Sequence, residues 1–412
     1  MAMGKTFGEK LRTARRDRFL SRAELAAPML RERDVSLLEA GRREPGPGAI
    51  QHFVQQLAAA PGALRRPGGT ASALYLSLSA SQSWDERSYR QCLDQALAGA
   101  AAALAEQDVD EWWDLSFLAA RSQLKLENYA GCIQQAQLLA RHPLALRRDP
   151  LRARARALLA TAYQGSGNLA QAVSQAKAAV AAAEAAPAKG GVVLLEAYQC
   201  LAAALTESGK VAEAWEICRV LLLPLLDTVP DATAAGKGFW TVGNVAFRRG
   251  DSTGGQAFHQ RAASLLSPRQ DLELWASFNK ASASMRLSSG LHDDMTLDCM
   301  QRAQAALAVV GESSSDTLDL LHSRGRWQHL RGNNVEAVIL LSQAYAERER
   351  LAPQTAAEVA LQLGISLASL GESRQAAERL QESVALFLRA GATDRSGHAS
   401  ALAESLVQDC QG

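Results

Sequence analysis

Apolar side chains recur three and four residues apart along most of the chain, and turn residues interrupt them at regular distances. Near the start, Phe7, Leu11 and Ala14 fall on one side of a helix. Ser21 followed by Glu24 has the spacing of a capping box, so a second helix is predicted to begin there. A third ends at Gly41 with a stop at Pro45, and Ile50, Phe53, Val54 and Leu57 supply the apolar stripe of a fourth. Pro28 cannot sit inside a continuing helix, which requires the second helix to stop early.

From residue 71 onward the pattern repeats. A turn marker recurs at Glu127-Asn128, Gly167-Asn168, Gly209-Lys210, Gly250-Asp251, Gly290-Leu291, Gly332-Asn333 and Gly371-Glu372, at intervals of 40, 42, 41, 40, 42 and 39 residues. Seven positions before each stands Ala120, Ala160, Ala202, Gly243, Ala283, Gly325 or Gly364, and five after it Cys132, Ala172, Ala214, Gly255, Met295, Ala337 or Ala376. Small side chains on both sides of a turn let two antiparallel helices approach closely, so each period is a helical hairpin. A weaker unit around Ala80–Ala105, with Cys92 at the small position, makes an eighth. The expected fold is all-α, an N-terminal domain over residues 1–64, a Pro/Gly-rich linker at 65–70 and a solenoid of seven or eight hairpins over 71–412.

Composition agrees with helices. Of 412 residues, 48% are hydrophobic but only 5% are aromatic, and alanine is abundant. The formal charge of +1 conceals an asymmetry: residues 1–68 carry 13 basic and 7 acidic side chains, and the remainder has an acidic excess. A basic head on an acidic body is the distribution expected of a domain that meets a polyanion. No apolar run approaches the roughly 18 residues of a membrane span, and the charged first 20 residues do not form a secretory signal, so a cytoplasmic protein without a membrane role is expected. Six dispersed cysteines show no metal or disulfide spacing, and no phosphate loop, GxSxG or HExxH motif occurs, so neither an enzyme, a cofactor nor a metal is expected. The isolated pair His322 and His329 is spaced too widely for two ligands of one metal on one helix. Trp112 and Trp113 are adjacent and cannot face the same side of a helix, so one is a candidate interface residue.

The blocks Leu20-Ser21-Arg22-Ala23-Glu24-Leu25-Ala26 and Val35-Ser36-Leu37-Leu38-Glu39-Ala40-Gly41-Arg42-Arg43-Glu44-Pro45 resemble the XRE-type, lambda-repressor-like helix-turn-helix family. The resemblance implies that Arg31, Glu32 and Arg33 face base edges in the major groove of double-stranded DNA and that Arg22, Arg42 and Arg43 lie near phosphates. It departs from the family at the turn: nine positions separate Ala26 from Val35 where ten are usual, and the small turn residue is absent.

The repeats resemble tetratricopeptide repeats (TPRs), with Leu159-Ala160-Thr161-Ala162-Tyr163 and Leu363-Gly364 matching first helices and Asn168-Leu169-Ala170-Gln171-Ala172 a second helix. The period exceeds the usual value of about 34, and the segments Arg141–Pro150 and Ala185–Gly191 read as longer loops. Stacked hairpins line a concave groove with their first helices. In register, Arg121, Thr241, Asn244, Arg248, Asn279, Ser284, Arg326 and Gln362 fall at or near groove-facing positions, a polar set suited to a peptide backbone and its terminal carboxylate. The combination resembles the RRNPP family of peptide-sensing regulators. That implies a homodimeric, sequence-specific DNA-binding regulator with a peptide ligand in the groove, and the C-terminal helices from Ser373 onward are the first candidate for the dimer contact. The alternative is a TPR adaptor for a protein partner whose helix-turn-helix has become a packing module.

Overall fold

The computed structural model describes residues 7–17, 20–59, 72–186, 191–311 and 313–409, and the only regular elements among them are helices. The expected linker at 65–70, most of the segment Ala185–Gly191 and Cys410 lie outside the described residues. Contacts divide the chain into two units, Met1–Ala155 and Arg156–Gly412.

The first unit opens with α1 (Phe7–Asp17), α2 (Arg22–Ala26), α3 (Glu32–Glu39) and α4 (Pro47–Ala59). Ser21 and Glu24 form the capping box, and α2 ends after five residues, ahead of Pro28. Leu11, Ala14, Leu25, Val35, Leu38, Phe53 and Leu57 make the core of these four helices, and Leu78 of the next helix joins it. That helix is α5 (Ala73–Asp85), followed by α6 (Tyr89–Ala105), α7 (Val109–Lys125), α8 (Tyr129–Arg141), the short α9 (Pro143–Arg147) and α10 (Asp149–Gly165), within which the unit boundary falls. The segment Arg141–Pro150, read as a loop, therefore contains a helix of its own, with Pro143 at its first turn where no N–H is needed. Of the adjacent indoles, Trp113 is fully buried and stacks on Phe117, while Trp112 is half-buried against His142.

The second unit continues with α11 (Leu169–Ala185), α12 (Val192–Glu207) and α13 (Val211–Glu216), which passes through a π-helical stretch at Ile217–Leu222 into α14 (Leu223–Leu226). Pro224 accounts for the widening, because it lacks an N–H and its ring clashes with the carbonyl one turn back. Then come α15 (Ala232–Arg248), α16 (Ser252–Leu265), α17 (Leu272–Ser288), α18 (Asp294–Val310), α19 (Ser314–Leu330), α20 (Asn334–Ala346), α21 (Pro353–Ala368), α22 (Ser373–Ala390) and α23 (Thr393–Asp409).

Every turn marker of the sequence begins with a left-handed residue. Glu127, Gly167, Gly209, Gly250, Gly290, Gly332 and Gly371 have φ between 57° and 86°, and Arg87 does the same between α5 and α6, seven residues after buried Ala80 and five before buried Cys92. At Gly250 the N–H groups of Gly250 and Asp251 reach back to the carbonyls of Phe247 and Ala246, closing α15. The Asp251 carboxylate then accepts from the Gly254 N–H at 2.8 Å, opening α16. Asn128 and Asn168 cap the following helix in the same way as Asp251, whereas Lys210, Leu291, Asn333 and Glu372 do not, so the left-handed residue is the part of the marker that all seven share.

The small positions flanking the markers are buried contacts between paired helices. A methyl group on Gly325 would come within 2.6 Å of Leu341, and one on Gly364 within 2.9 Å of Leu380. Met295 is the exception and is half exposed: α18 is capped by Asp293, so it starts later after its marker than its counterparts do. There the fully buried Thr296 and the buried Arg286 stitch the turn, Arg286 bonding Thr296 at 2.9 Å and Asp293 at 2.7 Å.

Within the second unit the first and last hairpins meet. A methyl on Gly167 would strike Pro353, Gln354 donates to the Gln164 carbonyl at 2.9 Å, and Leu169 shares a core with Phe387, Ala390, Ala392 and Ala399. The helices from Ser373 onward, expected as a dimer contact, bury part of their surface in this closure.

Candidate functional site

In the N-terminal helices the organising residue is Glu39, 2% exposed. Its place four residues after Val35 puts it on the apolar face of α3, a position that sequence reading passes over. Its carboxylate accepts from Arg15 at 2.6 Å, Arg22 at 2.9 Å and Arg12 at 3.4 Å. Burial pushes the Glu39 carboxyl upward, but the hydrogen bonds from Arg15 and Arg22 prevail and hold it below its ordinary range. Arg22, expected near phosphate, is thus tied inward. Arg31 precedes α3 and its N–H donates to the Asp34 carboxylate at 3.2 Å, which leaves the Arg31, Glu32 and Arg33 side chains together and exposed at the helix start. Arg42 is exposed beyond the helix end, and Arg43 pairs with Asp34 at 2.7 Å. Lys10 of α1 pairs with Glu111 and with Asp108, the latter at 3.4 Å, so these helices are clamped to the start of α7 within the same unit.

The residues read as groove-facing separate into three groups. Arg121 belongs to the first unit, its guanidinium 4.1 Å from the centre of the Trp84 ring. Thr241, Asn244, Asn279, Ser284 and Gln362 lie on inner helices of the second unit, but most of them serve the packing. Asn244 pairs with His259 at 3.0 Å, and His259 in turn with Ser282 at 3.0 Å. Burial pushes His259 down to about 4, so the ring is neutral. Gly243 makes room for it, since a methyl there would stand 2.2 Å from the imidazole. Asn279 is buried and donates to the carbonyl of Trp275 at 2.8 Å, and Gln362 is buried as well, so both differ from the groove-facing register. Thr241 donates to the Lys237 carbonyl at 3.0 Å, and Ser284 is half-buried.

Arg248 and Arg326 form the third group, and around them four unforeseen residues converge. Glu358 of α21 accepts from Arg248 of α15 at 2.9 Å and from Arg395 of α23, while Arg395 also reaches Glu207 of α12 at 3.2 Å. Arg326 of α19 donates to Ser288 at 3.1 Å, and His322 lies one turn before it. Burial alone would raise the Glu358 carboxyl, but Arg395 and Arg248 hold it far below its ordinary range. Arg326 is shifted downward, by burial first and then by Arg248 and Arg395, which outweighs the attraction of Glu358. His322 is pushed by burial to about 4 and carries no charge. The side chains of Arg248, Glu358, Arg395 and Glu207 keep 15–26% of their exposure, so the cluster is not fully sealed from solvent. Nothing in the local pattern of Glu207, His322, Glu358 or Arg395 announces the meeting, because it depends on four hairpins curling together.

This arrangement provides positively charged hydrogen-bond donors on inner helices. Among the described residues no group of His, Cys, Asp and Glu is arranged to hold a metal, and no helix is long and apolar enough to cross a membrane.

No protein-family model matches the chain, nor does any curated protein sequence. Solved structures do resemble it. A Rap protein complexed with Competence and Sporulation Factor is 10% identical, with a TM-score of 0.51 over 98% of each chain. The apo form of RapI is also 10% identical at a TM-score of 0.51, over 67% of this chain and 97% of its own. At that identity the likeness is one of fold, a solenoid of TPR-like hairpins.

Proposed function

We propose that this chain is a ligand-responsive transcriptional regulator whose N-terminal helices read double-stranded DNA and whose second unit holds a peptide on its inner helices. The carrying observation is the convergence of Arg248, Arg326 and Arg395 from three separate hairpins onto one partly open cluster. Such a cluster recognises carboxylate groups through planar, charge-assisted pairs. The likeness in fold to a Rap protein complexed with Competence and Sporulation Factor supports a bound signal there. Exposure of Arg31, Glu32 and Arg33 at the start of α3 supports DNA reading, because that end of the helix is the one a helix-turn-helix presents to base edges. In this reading the protein acts as a homodimer, and the ligand switches it by binding one arrangement of the inner helices better than another.

The adaptor reading draws support from the capture of Arg22 by Glu39 and the five-residue α2, both of which shrink the surface left for phosphate. Selection of bound duplexes from genomic DNA decides between them, run with and without a randomised peptide pool and repeated with Arg31→Ala/Arg33→Ala at matched salt. Enrichment of a palindromic site that the variant loses supports the regulator. A folded protein that enriches no duplex under either condition supports the adaptor.

A further inference from the structure

The chain beyond the N-terminal helices is acidic overall, yet the segment from Arg141 to Arg154 carries five arginines and a single acidic side chain, Asp149. Helix stability does not account for them. α10 begins at Asp149, and Arg147, Arg148 and Arg152 crowd its N-terminal end, where the macrodipole disfavours cations. Part of this charge is spent: Arg152 pairs with Asp149, Arg154 lies over the Phe117 ring at 4.7 Å, and Arg148 pairs with Asp110 at 2.6 Å while keeping 48% of its side chain exposed. Arg141 and Arg147 are exposed, and neither meets a carboxylate among the described residues.

Three consecutive residues of α7 decide where this basic segment sits. Asp110 holds Arg148, Glu111 holds Lys10 of α1, and the Trp112 ring packs on His142 with their centres 4.5 Å apart. Both ends of the segment Arg141–Arg148 are thereby pinned to the helical turn that receives the N-terminal helices, all within one unit. Nδ1 of His142 also accepts from the Leu144 N–H at 3.2 Å, which caps α9 and makes the segment a helix in place of a loose loop. With anchor points adjacent in the chain, the exposed guanidinium groups lie beside the N-terminal helices.

We propose that Arg141, Arg147 and the exposed part of Arg148 form a second phosphate-contacting surface, which holds the DNA duplex flanking the site that the N-terminal helices read. This rests on the reading that those helices bind double-stranded DNA. A guanidinium pairs with a phosphate through two parallel hydrogen bonds, so the contact adds affinity. It reads no sequence, because contacts to the backbone position a protein without distinguishing bases. A duplex is favoured over an acidic peptide because the adjoining N-terminal helices carry the same basic excess, and one long polyanion spans both.

The test measures binding of the full-length protein to a labelled random-sequence duplex of about 40 base pairs across a salt series, since such binding is electrostatic and needs no operator. Poly-L-glutamate is titrated alongside. Each phosphate contact steepens the fall of log affinity against log salt by about 0.9. Arg141→Gln/Arg147→Gln is therefore expected to make the slope shallower by about two for each bound protomer, and Arg141→Lys/Arg147→Lys to leave most of it. A control, Arg269→Gln/Arg374→Gln, removes two exposed arginines of the second unit and is expected to keep the parental slope. A parental slope in the Arg141→Gln/Arg147→Gln variant, or an equal loss in the control, overturns the second surface and leaves DNA reading by the N-terminal helices standing. Poly-L-glutamate that binds the parent but not the variant, with the duplex slope unchanged, assigns the patch to an acidic protein partner and likewise overturns it. A folded parent that binds no duplex at any salt overturns the DNA reading and this surface together.

Discussion

Arg395 and Glu207 are 188 residues apart in the chain, and their side chains meet at 3.2 Å. With Glu358 between Arg395 and Arg248, this contact ties α12, α15, α21 and α23 into one closed arrangement. A hairpin array held only by neighbouring contacts would lose stability piecemeal, whereas a closed one unfolds more cooperatively.

Removing the central carboxylate tests that closure. Glu358→Gln leaves Arg248 and Arg395 largely buried without their shared partner, and the cost of breaking a buried pair in this way is about 3 kcal/mol. The urea midpoint of the full-length protein should fall accordingly, and hydrogen exchange should quicken in α21 and α23 together.

Acid should weaken the second unit before the carboxylates reach their ordinary range. His259 and His322 are each pushed by burial from 6.5 to about 4, so in the pH window between those values the unfolded chain binds protons that the folded chain refuses. Stability is therefore complete above about pH 6.5 and declines as pH falls towards 4, by up to roughly 3 kcal/mol for each histidine. Urea midpoints at pH 7, 6 and 5 should show the decline, and a His259→Gln/His322→Gln variant should show a flatter one.

Close helix approach predicts the effect of a single methyl group. Gly243→Ala would place its Cβ 2.2 Å from the His259 ring, forcing His259 from its bonds to Asn244 and Ser282. Overpacking of this kind costs about 1–3 kcal/mol. Gly250→Ala is the contrasting case, since its Cβ meets no neighbouring atom and the cost is that of a left-handed φ of 86°, about 1 kcal/mol. Thermal melts should place the Gly243 variant below the Gly250 variant.

At the N-terminal helices, stability and recognition should separate. Glu39→Gln strips three arginines of their common partner and should destabilise this part of the first unit by roughly 2 kcal/mol. Arg33→Ala removes an exposed side chain and should leave the melt within about 0.5 kcal/mol of the parent while weakening duplex binding. Circular dichroism melts and duplex titrations at matched salt measure the two effects independently.

Legibility in the sequence followed the range of the interactions. The capping box at Ser21 and the early end of α2 are local, set by residues within four or five positions of one another, and both are present as read, whereas the short α9 inside Arg141–Pro150 was read as loop. The turn markers are local too: each needs a left-handed residue where one helix stops and the next follows, which is why their spacing announced the hairpins. Even the exception at Met295 has a local cause, the later cap at Asp293.

The polar residues behaved differently. Register alone placed Asn279 and Gln362 towards the groove, but in the assembled fold both are buried, and Asn244 spends its carbonyl on His259. Glu39 is intermediate, visible as a carboxylate on an apolar face but without any sign of which arginines meet it. Glu207, Glu358 and Arg395 carried no signal, because an ion pair has no sequence periodicity. The helices, their turns and the hairpin stack follow from the amino-acid order alone, through contacts between near neighbours in the chain. Which charges face one another follows from the assembled fold, because curvature accumulated over many hairpins brings Arg395 to Glu207 and Glu358 and Arg326 to the Ser288 hydroxyl.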